Sequence, residues 1–145
     1  MSARLRTVAA AVACAAVPLA GCAEVESSSV EGYQPASIEQ VEGSDLQRIT
    51  LTPEGARRTG LHTATVTRRG SRGVVPYAAL IYDGAGRTWV YRSEGRLAFM
   101  RAEVVVDRIV DDRVLLERGP QPGTKVATQG AAELYGAELG IDGGH

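Results

Sequence analysis

One stretch of the sequence indicates the fold more clearly than any other: residues 98–107 read AFMRAEVVVD. Small or apolar residues stand at every second position, and three of the positions between them are charged. The first set is Ala98, Met100, Ala102, Val104 and Val106, and the second is Arg101, Glu103 and Asp107. Alternation with a period of two is typical of a β-strand with one buried face. We therefore expect a strand here, with Met100 packed in the core.

Shorter strand-like segments lie on both sides of this stretch. They are Arg48–Thr52, Leu61–Arg69, Val74–Tyr82, Arg87–Ser93, Val114–Glu117 and Lys125–Thr128. Turn residues separate them at intervals of about 8–12 residues, which is typical of small all-β folds. One short helix is expected after Thr52-Pro53 and another at Ala131–Tyr135. The sequence thus predicts an all-β domain over residues 48–138, a small β-barrel or β-roll of about seven short strands with one or two single-turn helices.

The N-terminal residues have the layout of an export signal. Arg4 and Arg6 are the only charges in residues 1–21, and an apolar run, Val8–Ala20, follows them. A bilayer-spanning helix needs about 20 apolar residues, so a cleaved signal is favoured over a transmembrane anchor. The run ends in Leu19-Ala20-Gly21-Cys22, which resembles the lipobox of bacterial lipoproteins.

The lipobox resemblance implies a signal peptide at residues 1–21 and an acylated Cys22. The mature chain would then be held on the lipid bilayer, at the extracytoplasmic face of the cell membrane. The alternative is an ordinary signal cut that leaves Cys22 as a free thiol. Cys14 would leave with the signal, so the mature chain would have one cysteine and no intramolecular disulfide.

The segment after Cys22 has a different composition from the rest. Residues 23–45 hold six acidic residues and no Lys or Arg, and their apolar residues follow no period. Such a segment buries too little surface to offset its ordering entropy. We expect residues 22–47 to be the acylated cysteine and a flexible acidic tether, with an amphipathic helix over Ser37–Leu46 as the alternative. Residues 139–145 are expected to be a C-terminal tail.

The basic residues of the mature chain all follow Leu46, where fourteen of them face eleven acidic residues. Five arginines are crowded into sixteen positions: Arg57, Arg58, Arg68, Arg69 and Arg72. They form either an ordinary solvated face or a contact patch for an acidic partner or a lipid surface. The net charge of the whole chain is −1, which argues against a nucleic-acid binder.

Residue types that carry catalysis or bind metals are sparse. His62 shares a strand face with Ala64 and Val66, so we expect it to be packed and hydrogen-bonded, and His145 is at the chain end. We expect Trp89, Tyr91 and Phe99 to be core aromatics, although they could line a ligand pocket. No cluster has the spacing of a metal site or a catalytic triad. The sequence predicts no catalytic residue, no metal and no cofactor, and therefore not an enzyme.

Several stretches resemble the periplasmic adaptors, or membrane fusion proteins, of bacterial efflux transporters. They are Arg57–Val66, Val75–Ile81 with Thr88–Tyr91, Phe99–Val104, and Gly119–Val126 with Gly130–Leu134. Their order and spacing match the membrane-proximal domain of that family over about Arg48 to Glu138. The resemblance implies a small β-domain in a non-enzymatic, lipid-anchored accessory subunit that docks on a membrane transporter.

The sequence departs from that family at residues 70–73, which read GSRG. In a complete adaptor the chain leaves at this point to build a further barrel, a lipoyl domain and a helical hairpin. Without the hairpin, we expect this chain to be unable to bridge two membranes. The alternative function is a free-standing extracytoplasmic lipoprotein module that binds a cell-wall polymer, a peptide or a small ligand.

Overall fold

The computed structural model describes residues 34–140, and their fold consists mainly of strands. The strands are β1 (Ala36–Gln40), β2 (Gln47–Leu51), β3 (His62–Thr65), β4 (Thr67–Arg69), β5 (Arg72–Pro76), β6 (Ile81–Tyr82), β7 (Thr88–Gly95), β8 (Ala98–Val110), β9 (Arg113–Arg118) and β10 (Lys125–Gln129). The helices are α1 (Pro53–Arg58) and α2 (Ala131–Glu138), with a 3-10 turn at Tyr77–Ala79. The predicted all-β class is confirmed.

The stretch with the clearest alternation forms β8, the longest strand, with 13 residues. One edge of β8 pairs with β7, from Ala98 opposite Gly95 to Val104 opposite Thr88. The other edge pairs first with β2, at residues 98–100, and then with β9, at residues 105–110. β8 therefore holds β7, β2 and β9 in register. Met100, near its start, is buried as predicted.

The strands close into a barrel-like sheet in the order β3-β10-β7-β8-β9-β5-β4, with every pair antiparallel. The two end strands, β3 and β4, are consecutive in the chain and are separated only by Val66. The N–H of Val66 donates to Thr124 O at 2.8 Å, and the carbonyl of Val66 accepts from Gly123 N–H at 2.8 Å. We had expected one strand over Leu61–Arg69, but these bonds show that the chain changes partners at Val66, from β10 to β5.

Two hydrophobic cores cover opposite faces of the central strands. The inner core fills the barrel and includes Val66, Val75, Ala79, Leu80, Val90, Val104, Val114, Leu116 and Val126. The outer core lies under α2 and includes Ile49, Leu51, Tyr91, Phe99, Ala127, Ala131 and Leu134. Successive residues of a strand point to opposite faces, which is why Val90 and Val126 are in the inner core while Tyr91 and Ala127 are in the outer core.

The outer layer contains the main correction to the sequence-based expectations. Residues 36–40 were expected to be flexible tether, or part of a helix over Ser37–Leu46, but they form β1, which pairs with β2 over five residue pairs. The Val41 N–H donates to Leu46 O at 3.0 Å, and Gln40 Nε2 donates to Ser44 O at 2.7 Å. These bonds make residues 36–47, nearly half of the predicted tether, part of a hairpin, so the ordered chain begins before residue 48.

Other expectations fall outside the described residues. The signal peptide at residues 1–21, Cys22, the first part of the tether and residues 141–145 all lie there. Within residues 34–140, neither helix has the length and hydrophobicity needed to cross a membrane. The second helix is longer than the single turn expected, because Leu134 anchors it to the outer core.

The described chain starts against the N-terminus of α1. Thr52 caps this helix, since its Oγ1 accepts from Gly55 N–H at 3.0 Å. Thr52 also holds the incoming chain, because its N–H donates to Pro35 O at 3.0 Å. The fit is close: a Cβ on Gly55 would lie 2.2 Å from Pro35 O. The position at which the chain enters the domain is therefore fixed at α1.

We predict that Gly55→Ala destabilises the domain by about 1–3 kcal/mol, the usual cost of overpacking, because the added methyl displaces Pro35. Denaturant-induced unfolding measures this change. Gly84→Ala is the matched control, since a Cβ there meets no atom within 4 Å and its φ is not positive. Equal stability of the two variants would contradict the packing of Pro35 on α1.

Candidate functional site

The structure divides the predicted arginine patch into two groups. Arg57 and Arg58 end α1, whereas Arg68, Arg69 and Arg72 lie on the hairpin formed by β4 and β5. Residues 59–67, which include β3 and the change of partner at Val66, lie between the two groups in the chain. Arg57 and Arg68 accordingly line two different depressions.

The five arginines also differ in their partners. Arg58 forms an ion pair with Glu54 at 2.9 Å, and Arg72 lies 3.7 Å from Asp107. Within residues 34–140, Arg57, Arg68 and Arg69 form no ion pair. Of the five arginines, these three can bind an anion without first breaking an ion pair with a carboxylate.

Arg57 is part of an open cleft between α1 and the hairpin turn that joins β7 to β8. The cleft has a volume of about 420 Å³. Through Leu61 and Leu97 it continues into a depression of about 250 Å³ that reaches Lys125. We call the combined surface the basic cleft: Ala56, Leu61 and Leu97 form its floor, and Arg57, Arg96 and Lys125 form its rim.

The electrostatic character of the basic cleft is uniform. Its cations come from three separate elements, namely α1, the turn after β7, and β10, and no Asp or Glu lines either part. Arg57, Arg96 and Lys125 are all exposed. An apolar floor beneath unopposed cations is suited to an anion that carries an apolar portion.

The turn between β7 and β8 brings Leu97 and Arg96 to the cleft. Leu97 has a φ of +60°, which is unfavourable for a residue with a side chain. The conformation is held from outside the turn, since Leu97 O accepts from Leu51 N–H at 2.9 Å. This bond ties the turn to the end of β2, directly before α1, so the two walls of the cleft are joined.

His62 lines the basic cleft and is not in the core. We expected it to be packed and hydrogen-bonded, but it is exposed. Its Nδ1 lies 2.8 Å from Gly60 O, so it is hydrogen-bonded as expected. The expectation of burial was wrong because Val66 alone of that segment turns fully into the barrel.

The second basic group lines a more mixed surface. Arg68 and Arg118 share a depression of about 420 Å³ with Glu117 and the loop containing Pro120 and Pro122. A carboxylate beside two guanidinium groups weakens the attraction for an anion. Arg68 and Arg69 nevertheless project from a hairpin at the surface, where a protein partner can reach them.

The most enclosed charged group lies under α2, and it serves to dock this helix. Glu138 Oε2 accepts a hydrogen bond from Tyr91 Oη at 2.5 Å, and Glu138 Oε1 lies 2.8 Å from Arg101 Nε. The Arg101 N–H is not aligned with that oxygen, so the contact is an ion pair rather than a hydrogen bond. The Arg101 guanidinium also stacks over Trp89, 4.6 Å from the ring centroid.

Burial raises the pKa of the Tyr91 phenol, and the Glu138 carboxylate raises it further. The phenol therefore remains a donor to Glu138. Sequence reasoning placed Arg101 on the polar face of its strand but missed this cluster, because the helix that covers that face begins thirty residues later in the chain. Trp89, Tyr91 and Phe99 are buried, as expected for core aromatics.

Asp83 organises the turn before β7. Its carboxylate accepts from the backbone N–H groups of Ala85 and Arg87, from Arg87 Nε and from Trp89 Nε1, at 2.8–3.0 Å. Desolvation raises the pKa of this carboxyl, but the four donors outweigh it and hold the pKa at about 2, below the ordinary 3.8. A depressed pKa means that the ionised form stabilises the fold.

We predict that this stabilisation is complete above about pH 4 and is lost as the pH falls from about 4 towards 2, where the folded-state carboxyl becomes protonated. The free energy of unfolding, measured by denaturation across this range, should fall more steeply in the wild type than in Asp83→Asn. Asp112→Asn is the control, because the Asp112 side chain is 84% exposed. Identical pH profiles for the wild type and Asp83→Asn would contradict the role of Asp83.

Among residues 34–140, no group of His, Cys, Asp and Glu side chains is arranged to hold a metal ion. No family model, curated protein or solved structure matches the chain. The basic cleft and the topology of the barrel are the features from which we infer a function.

Proposed function

We propose that the protein is a non-enzymatic, lipid-anchored accessory subunit of a membrane transporter. In this proposal acylated Cys22 holds the chain at the extracytoplasmic face of the cell membrane, and the β-barrel docks on the transporter. The observation that carries the proposal is the hairpin of β4 and β5, since it lies at the point where the sequence departs from the adaptor family.

The β4–β5 hairpin has a two-residue loop. Its residue pairs are Thr67 with Val74, Arg68 with Gly73, and Arg69 with Arg72, so only Gly70 and Ser71 lie between the paired residues. Gly70 has a φ of +61°, as tight hairpin turns require. The strands that flank this loop are thus neighbours in one barrel. This supports a membrane-proximal β-domain that exists without the inserted domains of a complete adaptor.

The distance between the anchor and the domain also supports docking at the membrane. Only twelve peptide units separate Cys22 from Gln34, the first described residue. A chain of this length reaches at most about 40 Å. A barrel tethered so closely can contact the external face of a permease in the same membrane.

The hairpin of β4 and β5 offers a surface for that contact. Arg68 and Arg69 are exposed and form no ion pair within the described residues. An acidic loop on the external face of a permease would pair with them at little desolvation cost. The second candidate function, a free-standing module for a wall polymer, a peptide or a small ligand, is favoured by the apolar floor and basic rim of the cleft.

A photo-crosslinking amino acid at Arg69 tests the proposal in the native envelope. We predict that the lipidated chain forms an adduct with a multi-pass transporter from this position and none from Arg113, an exposed arginine that lies 3.5 Å from Asp112. With the crosslinker kept at position 69, Arg68→Glu should reduce the yield several-fold, whereas Arg113→Glu should not. Adducts with lipid and cell-wall proteins alone would overturn the proposal, and a ligand-dependent thermal shift would then support the binding module.

A further inference from the structure

The basic cleft lies at the end of the domain where the anchored chain arrives. Pro35, the second described residue, contacts Thr52 and Gly55 at the start of α1. Arg57, on the cleft rim, lies five residues after Thr52, which is about 7 Å along a helix. The Arg57 side of the cleft therefore lies close to the point at which the described chain enters the domain.

Within residues 34–140, no carboxylate forms an ion pair with any of the three rim cations. The nearby carboxylate of Glu54, on α1, forms its ion pair with Arg58 at 2.9 Å. Arg57 and Arg96 can each offer two parallel N–H donors to phosphate oxygens, and Lys125 adds a compact positive charge. The floor residues Leu61 and Leu97 provide an apolar surface directly beside these donors.

We propose that the basic cleft docks the domain on the anionic phospholipid headgroups of the membrane that carries Cys22. This inference rests on the lipid anchor of the proposed function and assigns a second contact with the same bilayer. Phosphate oxygens would accept from Arg57 and Arg96, and the glycerol and first acyl carbons would lie against the floor. An acidic protein offers the charge as well, but in the proposed function the anchor keeps the lipid surface within about 40 Å of the domain at all times.

The expected strength of the contact follows from the number of cations. Each Lys or Arg close to an anionic membrane strengthens binding by roughly fivefold, so three together contribute about a hundredfold. This is enough to fix the orientation of a tethered domain, although it is too weak to hold an untethered one. The attraction should also weaken in high salt, where the Debye length becomes about 3 Å.

Hydrogen exchange of the acylated chain in vesicles tests the inference. One preparation contains phosphatidylcholine alone, and in the other about a third is replaced by phosphatidylglycerol. We predict that amides of residues 57–63 and 93–99 exchange several-fold more slowly in the anionic vesicles, and that about 1 M salt removes the difference. Equal exchange in the two preparations would overturn the inference.

Substitutions separate the cleft from general charge. Arg57→Ala, Arg96→Ala and Lys125→Ala together should abolish the protection, and Arg69→Ala, Arg108→Ala and Arg113→Ala together should leave it intact. All six residues are exposed, and unchanged thermal unfolding of both triple variants would confirm that they fold. Protection that survives in the cleft variant would overturn the inference.

Two further outcomes distinguish this inference from the proposed function. Protection of the cleft amides in native membranes but not in anionic vesicles would overturn the inference and assign the cleft to an acidic protein. If no transporter adduct forms from position 69 while the lipid-dependent protection is present, the proposed function is overturned and the lipid contact is supported.

Discussion

The structure depends on the pairing of β8 along both of its edges. This single strand holds β7 on one side and β2 followed by β9 on the other, so the barrel and the outer layer share it. β8 also contributes side chains to both cores, because Val104 is in the inner core and Phe99 is in the outer core. A change that shifted its register by one residue would exchange the two faces and disrupt both cores at once.

The shared strand explains why the basic cleft lies where it does. The first residues of β8 pair with β2, and β2 leads directly into α1, so the turn before β8 and the end of α1 are held side by side. The chain enters at Pro35 on the same helix. The point at which the described chain enters the domain, the helix α1 and the Arg57 side of the cleft thus lie together. We propose that the basic cleft contacts lipid and that the β4–β5 hairpin contacts a transporter.

The sequence predicted those features that local alternation determines. β8 and the burial of Met100 were both predictable, because a period of two acts over a few positions. Strand β1 was missed because it lies in a segment, residues 23–45, that is acidic and has no apolar period, whereas its order comes from pairing with β2. Arg96 and Lys125 could not be linked to Arg57 without knowing that β10 lies between β3 and β7. The enclosed position of Arg101 likewise depends on α2, a distant element that alternation does not reveal.

The orientation of the domain on its membrane is the most direct test of this account. Paramagnetic broadening of NMR signals from the anchored chain, caused by spin-labelled headgroups in anionic vesicles, measures how near each amide lies to the bilayer. The account predicts the strongest broadening at Arg57, Leu61, Arg96 and Leu97, and little at Gly70 and Ser71. Broadening that is strongest at the β4–β5 hairpin, or equal over the whole barrel surface, would contradict it.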